Sequence, residues 1–461
     1  MQCIASYVPW RNGSRANIWV QCLPIFGAQC LPIFGCNAYQ YLGAMPTNIW
    51  VQCLPIFGCN AYQYLGAMHC APTKHLFINT NVSNTFDVIV IGLGGMGSAT
   101  AYQLARRGKR VLGLERYTPA HNLGSSHGKS RIIRQAYFEH PAYVPLLLRA
   151  YELWEQIEQE TGKNLLTLTG GLMLGLPESH TVAGSILSAQ EHGLEHEILD
   201  AREIKRRFPP LQPSNDTIAL YEKKAGFVHP ENSVSAHLQR ATELGATLHF
   251  EEPALSWEAS VSGDRVRVTT AKGCYEAEKL AIAPGAWASD IFNFNLPLTV
   301  ERQVMYWFDP VGGIEPFLSD RFPIYIWEAE DEVKFYGFPA QEGQDGVKVA
   351  FFYKGVACTA ETIDRAVQVE EIGQMREYLA GRIPALNSDC LQASTCLYTN
   401  TPDFHFVIAP HPQYSQVAIA SPCSGHGYKF ASVVGEIMAD LVIDGKTRHP
   451  LDLFAPTRFL G

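Results

Sequence analysis

The chain has 461 residues, of which 47% are apolar and 18% charged, with a formal net charge of −9. That length and balance fit a soluble globular protein of two domains sharing a large core. The acidic balance, without any polybasic run, argues against nucleic acid and anionic membranes as partners, and no Cys or His cluster has zinc spacing, so no metal is expected.

Residues 1–85 stand apart from the rest. Gln29–Met45 and Gln52–Met68 are identical strings, and Asn17–Gly27 recurs at Asn48–Gly58. Solenoid repeats diverge while keeping a pattern, whereas these copies are verbatim. The segment has no Asp or Glu, and seven of the 12 cysteines precede residue 71. No 18-residue apolar run survives its Pro, Gln and Asn, so no membrane span is expected, and no basic stretch leads into an apolar core, so no secretory signal is expected. The segment is expected to be disordered or a mistranslated leader, with Met68 as the true start. The other cysteines, Cys274, Cys358, Cys390, Cys396 and Cys423, are scattered and read as the reduced thiols of a cytoplasmic protein.

From Phe86 the pattern changes. Val88–Ile91 reads as a short buried strand, followed by Gly92-Leu-Gly94-Gly-Met-Gly97 and a helix over Ser98–Arg107 that Gly108 caps. Arg110–Glu115 is a second strand ending in an acid. Strand, glycines, helix and terminal acid together form a dinucleotide fingerprint. Gly92 permits the turn, Gly94 lets backbone approach a pyrophosphate, and Gly97 lets helix and strand pack closely. The pyrophosphate belongs at the helix N-terminus, where free N–H groups and the dipole favour an anion. Glu115 suits ribose hydroxyls and disfavours a 2′-phosphate. The fingerprint alone does not separate FAD from NAD.

Four later stretches narrow the choice. They are Gly124-Ser-Ser-His127-Gly-Lys-Ser-Arg131-Ile-Ile-Arg134, Ala277 through Pro-Gly285-Ala-Trp287, Cys396-Leu-Tyr398-Thr, and Ser424-Gly425-His426-Gly427-Tyr-Lys429 opening a helix. On these motifs the chain resembles the monomeric sarcosine oxidase and N-methyltryptophan oxidase family, within the glycine/D-amino-acid oxidase superfamily. The likeness runs from about Phe86 to Leu453.

The resemblance implies an α/β fold: a Rossmann-type FAD-binding domain with a second, mixed-sheet substrate (cap) domain. It implies FAD held by Gly92, Gly94, Gly97, Glu115, Gly285 and Trp287, and by the Ser424, Gly425, His426 and Gly427 run. Cys396 matches the cysteine that links to the flavin through sulfur. An isolated cysteine is ordinarily a buried thiol, so the Cys-Leu-Tyr-Thr context carries this expectation. Arg131 and His127 match residues beside the flavin ring. Arg134 and Lys429 match the pair that binds a substrate carboxylate, and a guanidinium fork with a second cation suits that anion. Tyr336 and Tyr398 match cavity-lining residues, and Lys348 matches the lysine that activates dioxygen.

Two departures bear on the substrate. Phe352 stands where sarcosine oxidases carry a substrate-holding histidine, and Pro422-Cys423 replaces the usual Gly-Phe. The cavity is expected to be drier, so N-methyltryptophan or pipecolate becomes as good a candidate as sarcosine. The expected domains are 86–155, 224–300 and 390–461 for FAD and 156–223 and 301–389 for substrate. Helices are expected over Tyr143–Glu160 and Val234–Leu244, and two strands within Tyr336–Phe352. The implied activity is oxidation of a secondary amino acid by dioxygen, giving an imine and hydrogen peroxide, in a monomer. The alternatives are a flavin dehydrogenase of the same fold with another acceptor, and a non-catalytic flavin-binding protein. Mass spectrometry of the native protein is expected to find no peptide from residues 1–67; any such peptide would overturn the leader reading.

Overall fold

A computed structural model describes residues 2–5, 20–23, 85–341 and 343–459. Backbone proximity divides the chain into residues 1–79 and 80–461. In the first unit, strands Gln2–Ala5 and Val20–Leu23 pair antiparallel, with Cys3 opposite Cys22. The remainder of the repetitive leader, and the state expected of it, lie outside the described residues.

The second unit is built on two large sheets. The first has a parallel centre in the order Thr247–His249, Val111–Leu114, Thr85–Ile91, Gly273–Ile282 and Val417–Ser421. Val88–Ile91 is buried throughout, as an apolar run covered on both faces should be. Helix Gly95–Arg106 packs over this sheet beside helices Pro230–Glu243 and Ala431–Asp444. Ser256–Ala259 and Val266–Thr270 extend the first half of Gly273–Ile282 as an antiparallel meander. The second sheet has nine strands and is mixed: Gly171–Gly175 and Ile324–Glu328 run parallel, and its other neighbours are antiparallel. A three-stranded sheet, with Gly226–Val228 between Arg131–Ile133 and Leu166–Leu168, lies apart from these two.

Element boundaries differ from those expected where glycine and proline begin helices. The first helix starts at Gly95, three residues before Ser98, because the Gly94 carbonyl already accepts the Ser98 N–H at 3.0 Å. The helix expected from Val234 starts at Pro230, a residue whose fixed φ suits the first helical turn. Cys390–Asn400 pairs along its length with Thr299–Phe308 of the nine-stranded sheet. Its sequence has no clean alternation of polar and apolar residues, so only the long-range pairing places it. The strands expected within Tyr336–Phe352 are Lys334–Gly337 and Val347–Phe352, paired antiparallel.

Gly97 shows how tightly helix and strand meet. A Cβ there would fall 1.7 Å from the Gly92 carbonyl oxygen. Gly97→Ala is therefore expected to cost roughly 3 kcal/mol, the upper end for overpacking, measured by denaturant unfolding. An unchanged midpoint would show that the backbone yields freely here.

Candidate active site

The strand Thr85–Ile91 delivers the chain to Gly92, whose φ of +84° is readily adopted only by glycine. A side chain there would collide with Ala283, as its Cβ would lie 2.5 Å from that carbonyl oxygen. The helix that follows has Gly94 as its N-cap, without a side-chain cap and without an acid in its first turn. Gly95 N–H donates to Ser126 Oγ at 3.0 Å, and the helix start is otherwise suited to an anion. Glu115 closes one side of the cradle. Its carboxylate accepts the Leu93 N–H at 2.7 Å and the Tyr117 N–H at 3.0 Å. From this cradle a cavity of about 1340 Å³ extends past Gly285 and Trp287 to Cys396, Tyr398, Gly425 and Gly427.

A second cavity, of about 600 Å³, contains Arg134, Glu139, Tyr336, Phe352 and Lys429 among its walls. The two cavities share Arg131, Cys396, Tyr398, Gly425 and Tyr428 as lining residues. Arg131 is fixed at this common wall by donating to Ser125 O at 2.8 Å, Ser130 O at 2.9 Å and Cys396 Sγ at 3.3 Å. Aromatic rings enclose much of the second cavity. Phe352 meets Tyr336, Tyr398 and Phe138 edge-on, with centroids 6.2, 6.4 and 6.5 Å away.

Two buried cations stand in the second cavity. Arg134 donates to both oxygens of Glu139, at 2.8 and 2.6 Å, and lies over the rings of Tyr137 and Phe138. Burial raises the Glu139 carboxyl, but Arg134, His426 and Lys429 outweigh it and hold the group below its ordinary value. Lys429 donates to the His426 carbonyl at 2.6 Å. Burial and then Arg134 lower its pKa to about 7, against the opposing pull of Glu139. His426 Nε2 lies 2.9 Å from the Phe404 carbonyl, which can only accept, so Nε2 carries the proton and Nδ1 accepts a hydrogen bond from the Tyr137 hydroxyl at 2.5 Å. Burial brings the His426 pKa down to about 4 and keeps the ring neutral.

Lys348 and His127 are not among the lining residues of either cavity. Lys348 Nζ donates to Gly128 O at 2.7 Å, Ser130 O at 2.9 Å and Ser130 Oγ at 3.3 Å. It therefore shares the Ser130 carbonyl with Arg131, one group behind the common wall. Burial, then Arg131, lowers its pKa well below the ordinary lysine value. His127 is buried, with its pKa lowered to about 3 by burial and then by Arg131 and Lys348.

A family model described as FAD dependent oxidoreductase matches residues 87–441. The chain belongs to the FAD-dependent oxidoreductase family. It is 58% identical over 380 residues to a monomeric sarcosine oxidase of Streptomyces avermitilis, covering 82% of this chain and 98% of that one. It is 32% identical over 381 residues to an N-methyl-L-tryptophan oxidase of Yersinia pestis, covering 81% and 99%. Among solved structures, L-proline dehydrogenase from P. horikoshii matches with a TM-score of 0.70 and 25% identity, covering 81% and 97%. Glycine oxidase from Geobacillus kaustophilus matches at 0.67 and 21%, covering 82% and 100%, a likeness of fold. The chain is an FAD-dependent oxidoreductase of the sarcosine oxidase branch, with the α/β Rossmann-type and mixed-sheet architecture of that family.

The first cavity fits the family's cofactor, because its helix start is uncapped and a Cβ on Gly94 would meet nothing nearer than Ser126 Oγ at 3.4 Å, which leaves the backbone there open to a pyrophosphate. Of the residues expected around FAD, Gly92, Gly94, Glu115, Gly285, Trp287, Cys396, Gly425 and Gly427 line it. Gly97 instead serves helix packing, Ser424 lies off the lining, and His426 lines the second cavity, where Tyr137 holds it. All five residues expected around substrate, Arg134, Lys429, Tyr336, Tyr398 and Phe352, line the second cavity. Sequence reasoning missed Gly95, Ser126, Tyr428 and Glu139. Tyr428 lay inside a motif already singled out, whereas nothing local marks Glu139 as the partner of Arg134.

The lowered pKa of Lys429 makes the charge of the second cavity depend on pH. A carboxylate entering this cavity would meet the Lys429 ammonium below about pH 7, and that charge is lost as pH rises through this value. An amine-free carboxylate is therefore expected to bind up to about tenfold more weakly per unit above this point, read from perturbation of the flavin absorption. A dissociation constant that stays flat from about pH 6 to pH 9 would overturn this placement of the titrating group.

Proposed function

We propose that this enzyme oxidises a secondary amino acid, N-alkyl or cyclic, in the second cavity, with the carboxylate on Arg134 and Lys429. One observation carries the reading: two buried cations stand in an aromatic cavity that shares Arg131, Cys396 and Tyr398 with the cofactor cavity. The relatives' activities, on sarcosine and N-methyl-L-tryptophan, supply the substrate class.

Bound FAD would accept a hydride equivalent from the carbon next to the amine and return the electrons to dioxygen, giving hydrogen peroxide. The chain's own groups would do the rest. Gly92, Gly94, Glu115, Gly285 and Trp287 would hold the cofactor, and the Ser424–Gly427 turn precedes a helix whose start suits negative charge on the flavin. The incoming carboxylate displaces Glu139 from Arg134, exchanging one charge-assisted pair for another. Tyr336, Phe338, Phe352 and Tyr398 exclude water, which strengthens those charge contacts. The same dry cavity selects the neutral amine, whose lone pair assists loss of hydride, and the resulting imine hydrolyses, releasing formaldehyde from an N-methyl substrate. Lys348 acts on dioxygen through its positive charge behind the common wall, and His127 and Arg131 tune the flavin. Cys396, with the Arg131 guanidinium at its sulfur, is the covalent anchor.

Phe352 directs the choice of substrate. An aromatic ring in place of an imidazole makes the cavity drier, so N-methyltryptophan or pipecolate is as good a candidate as sarcosine. The same reading takes 86–155, 224–300 and 390–461 as the FAD domain and 156–223 and 301–389 as the cap, in a cytoplasmic monomer. All five cysteines of that region are free thiols, and no described helix is long and apolar enough to cross a membrane.

A dehydrogenase using another acceptor is the second reading, favoured by the likeness to L-proline dehydrogenase. Anaerobic titration of the purified yellow protein with sarcosine, N-methyltryptophan, pipecolate and proline separates these ideas. Bleaching by at least one of the four is expected, with rapid return of colour in air. Slow return would favour the dehydrogenase, and no bleaching by any of the four would sink the substrate class. Acid denaturation should leave the colour on the chain, and its loss would remove the covalent link.

A further inference from the structure

We propose that Glu231 is a positioning residue that keeps the buried Lys348 ammonium charged through the Gly128–Lys129 peptide group. Gly128 and Lys129 both adopt left-handed backbone conformations, with φ of +91° and +70°. For lysine this conformation is uncommon and unfavourable without compensation. At this turn two successive N–H groups point at one carboxylate, a concave anion-binding arrangement. Glu231 Oε1 accepts from Gly128 N at 2.7 Å and from Lys129 N at 3.1 Å, and its Oε2 lies 3.2 Å from Lys129 N.

The Lys129 N–H and the Gly128 carbonyl belong to the same peptide group. At its other end that carbonyl accepts from Lys348 Nζ at 2.7 Å. A carboxylate on the N–H polarises the carbonyl oxygen and strengthens its hold on the ammonium. Glu231 lies in the first turn of helix Pro230–Glu243, where the dipole favours its negative charge.

The surroundings of Lys348 leave few other anions. Its own strand, Val347–Phe352, carries no second titratable side chain. Arg131 faces it from one side and His127 from the loop, and Arg131 opposes its charge. Phe338 and Trp307 present rings at 4.7 and 5.5 Å. Cys396, when ionised, and Glu231 favour the ammonium. A thioether at Cys396 would carry no charge, which leaves Glu231. The inference rests on the reading that Lys348 assists dioxygen, and its test separates the two.

The holoprotein is labelled with ε-¹³C-lysine, and the Lys348 resonance is assigned by its loss in Lys348→Met. Glu231→Gln is expected to lower the titration midpoint of that resonance by about one pH unit, the low end for an opposite charge because Glu231 is only partly buried. Removing the anion disfavours the ammonium, so the fall-off of flavin reoxidation with rising pH should move to lower pH by the same amount. Glu231→Asp should restore both toward the parent values. Equal midpoints in the parent and Glu231→Gln proteins would overturn the relay. A shifted midpoint with wild-type reoxidation in Lys348→Met would uphold the relay and remove the oxygen role from Lys348.

Discussion

The site depends on keeping positive charge out of water. Arg134, Lys348 and Lys429 are buried, with Arg131 partly so beside them. An uncompensated buried charge costs several kcal/mol, so each cation has acceptors arranged around it. The segment Gly128–Glu139 supplies many of them: the Gly128 and Ser130 carbonyls for Lys348, Ser130 for Arg131, and Ala136 and Glu139 for Arg134. Buried Glu222 fastens this segment by accepting the Gln135 and Ala136 N–H groups at 2.7 and 2.8 Å.

This arrangement explains why the two cavities meet where they do. Arg131–Ile133 is one edge of the three-stranded sheet and carries Arg131 to the common wall, while Arg134 follows directly into the second cavity. Cys390–Asn400 brings Cys396 and Tyr398 to the same wall from the nine-stranded sheet. The parallel sheet contributes Gly425, Gly427 and Tyr428 from the turn after Val417–Ser421. The wall is thus a junction of all three sheets. The cations there differ in task by their partners. Arg134 is held by the Glu139 carboxylate, whereas Lys348 is held by the Gly128 and Ser130 backbone carbonyls.

Much of the nucleotide half is legible in the amino-acid sequence, for local reasons. An apolar run, glycines at fixed spacing and an acid ending the next strand act within about 30 residues, as a βαβ unit does. The glycine turn lies close to where the sequence puts it, and only the helix start differs, at Gly95. The second half is less legible. Nothing local in Cys390–Asn400 says which sheet it joins until Thr299–Phe308 pairs with it, and the helix expected from Val234 already begins at Pro230.

The sequence by itself determined the family, the nucleotide cradle and several of the residues that line the second cavity, because each of these rests on short motifs whose geometry is local. The tertiary structure decided what those residues touch. It paired Arg134 with Glu139, set Lys348 and His127 behind the wall, and turned His426 toward Tyr137. It also joined Glu231 to Lys348 across residues 128, 231 and 348. Such contacts arise only when distant strands converge, and the partner of a buried charge is set by which acceptors packing leaves within reach.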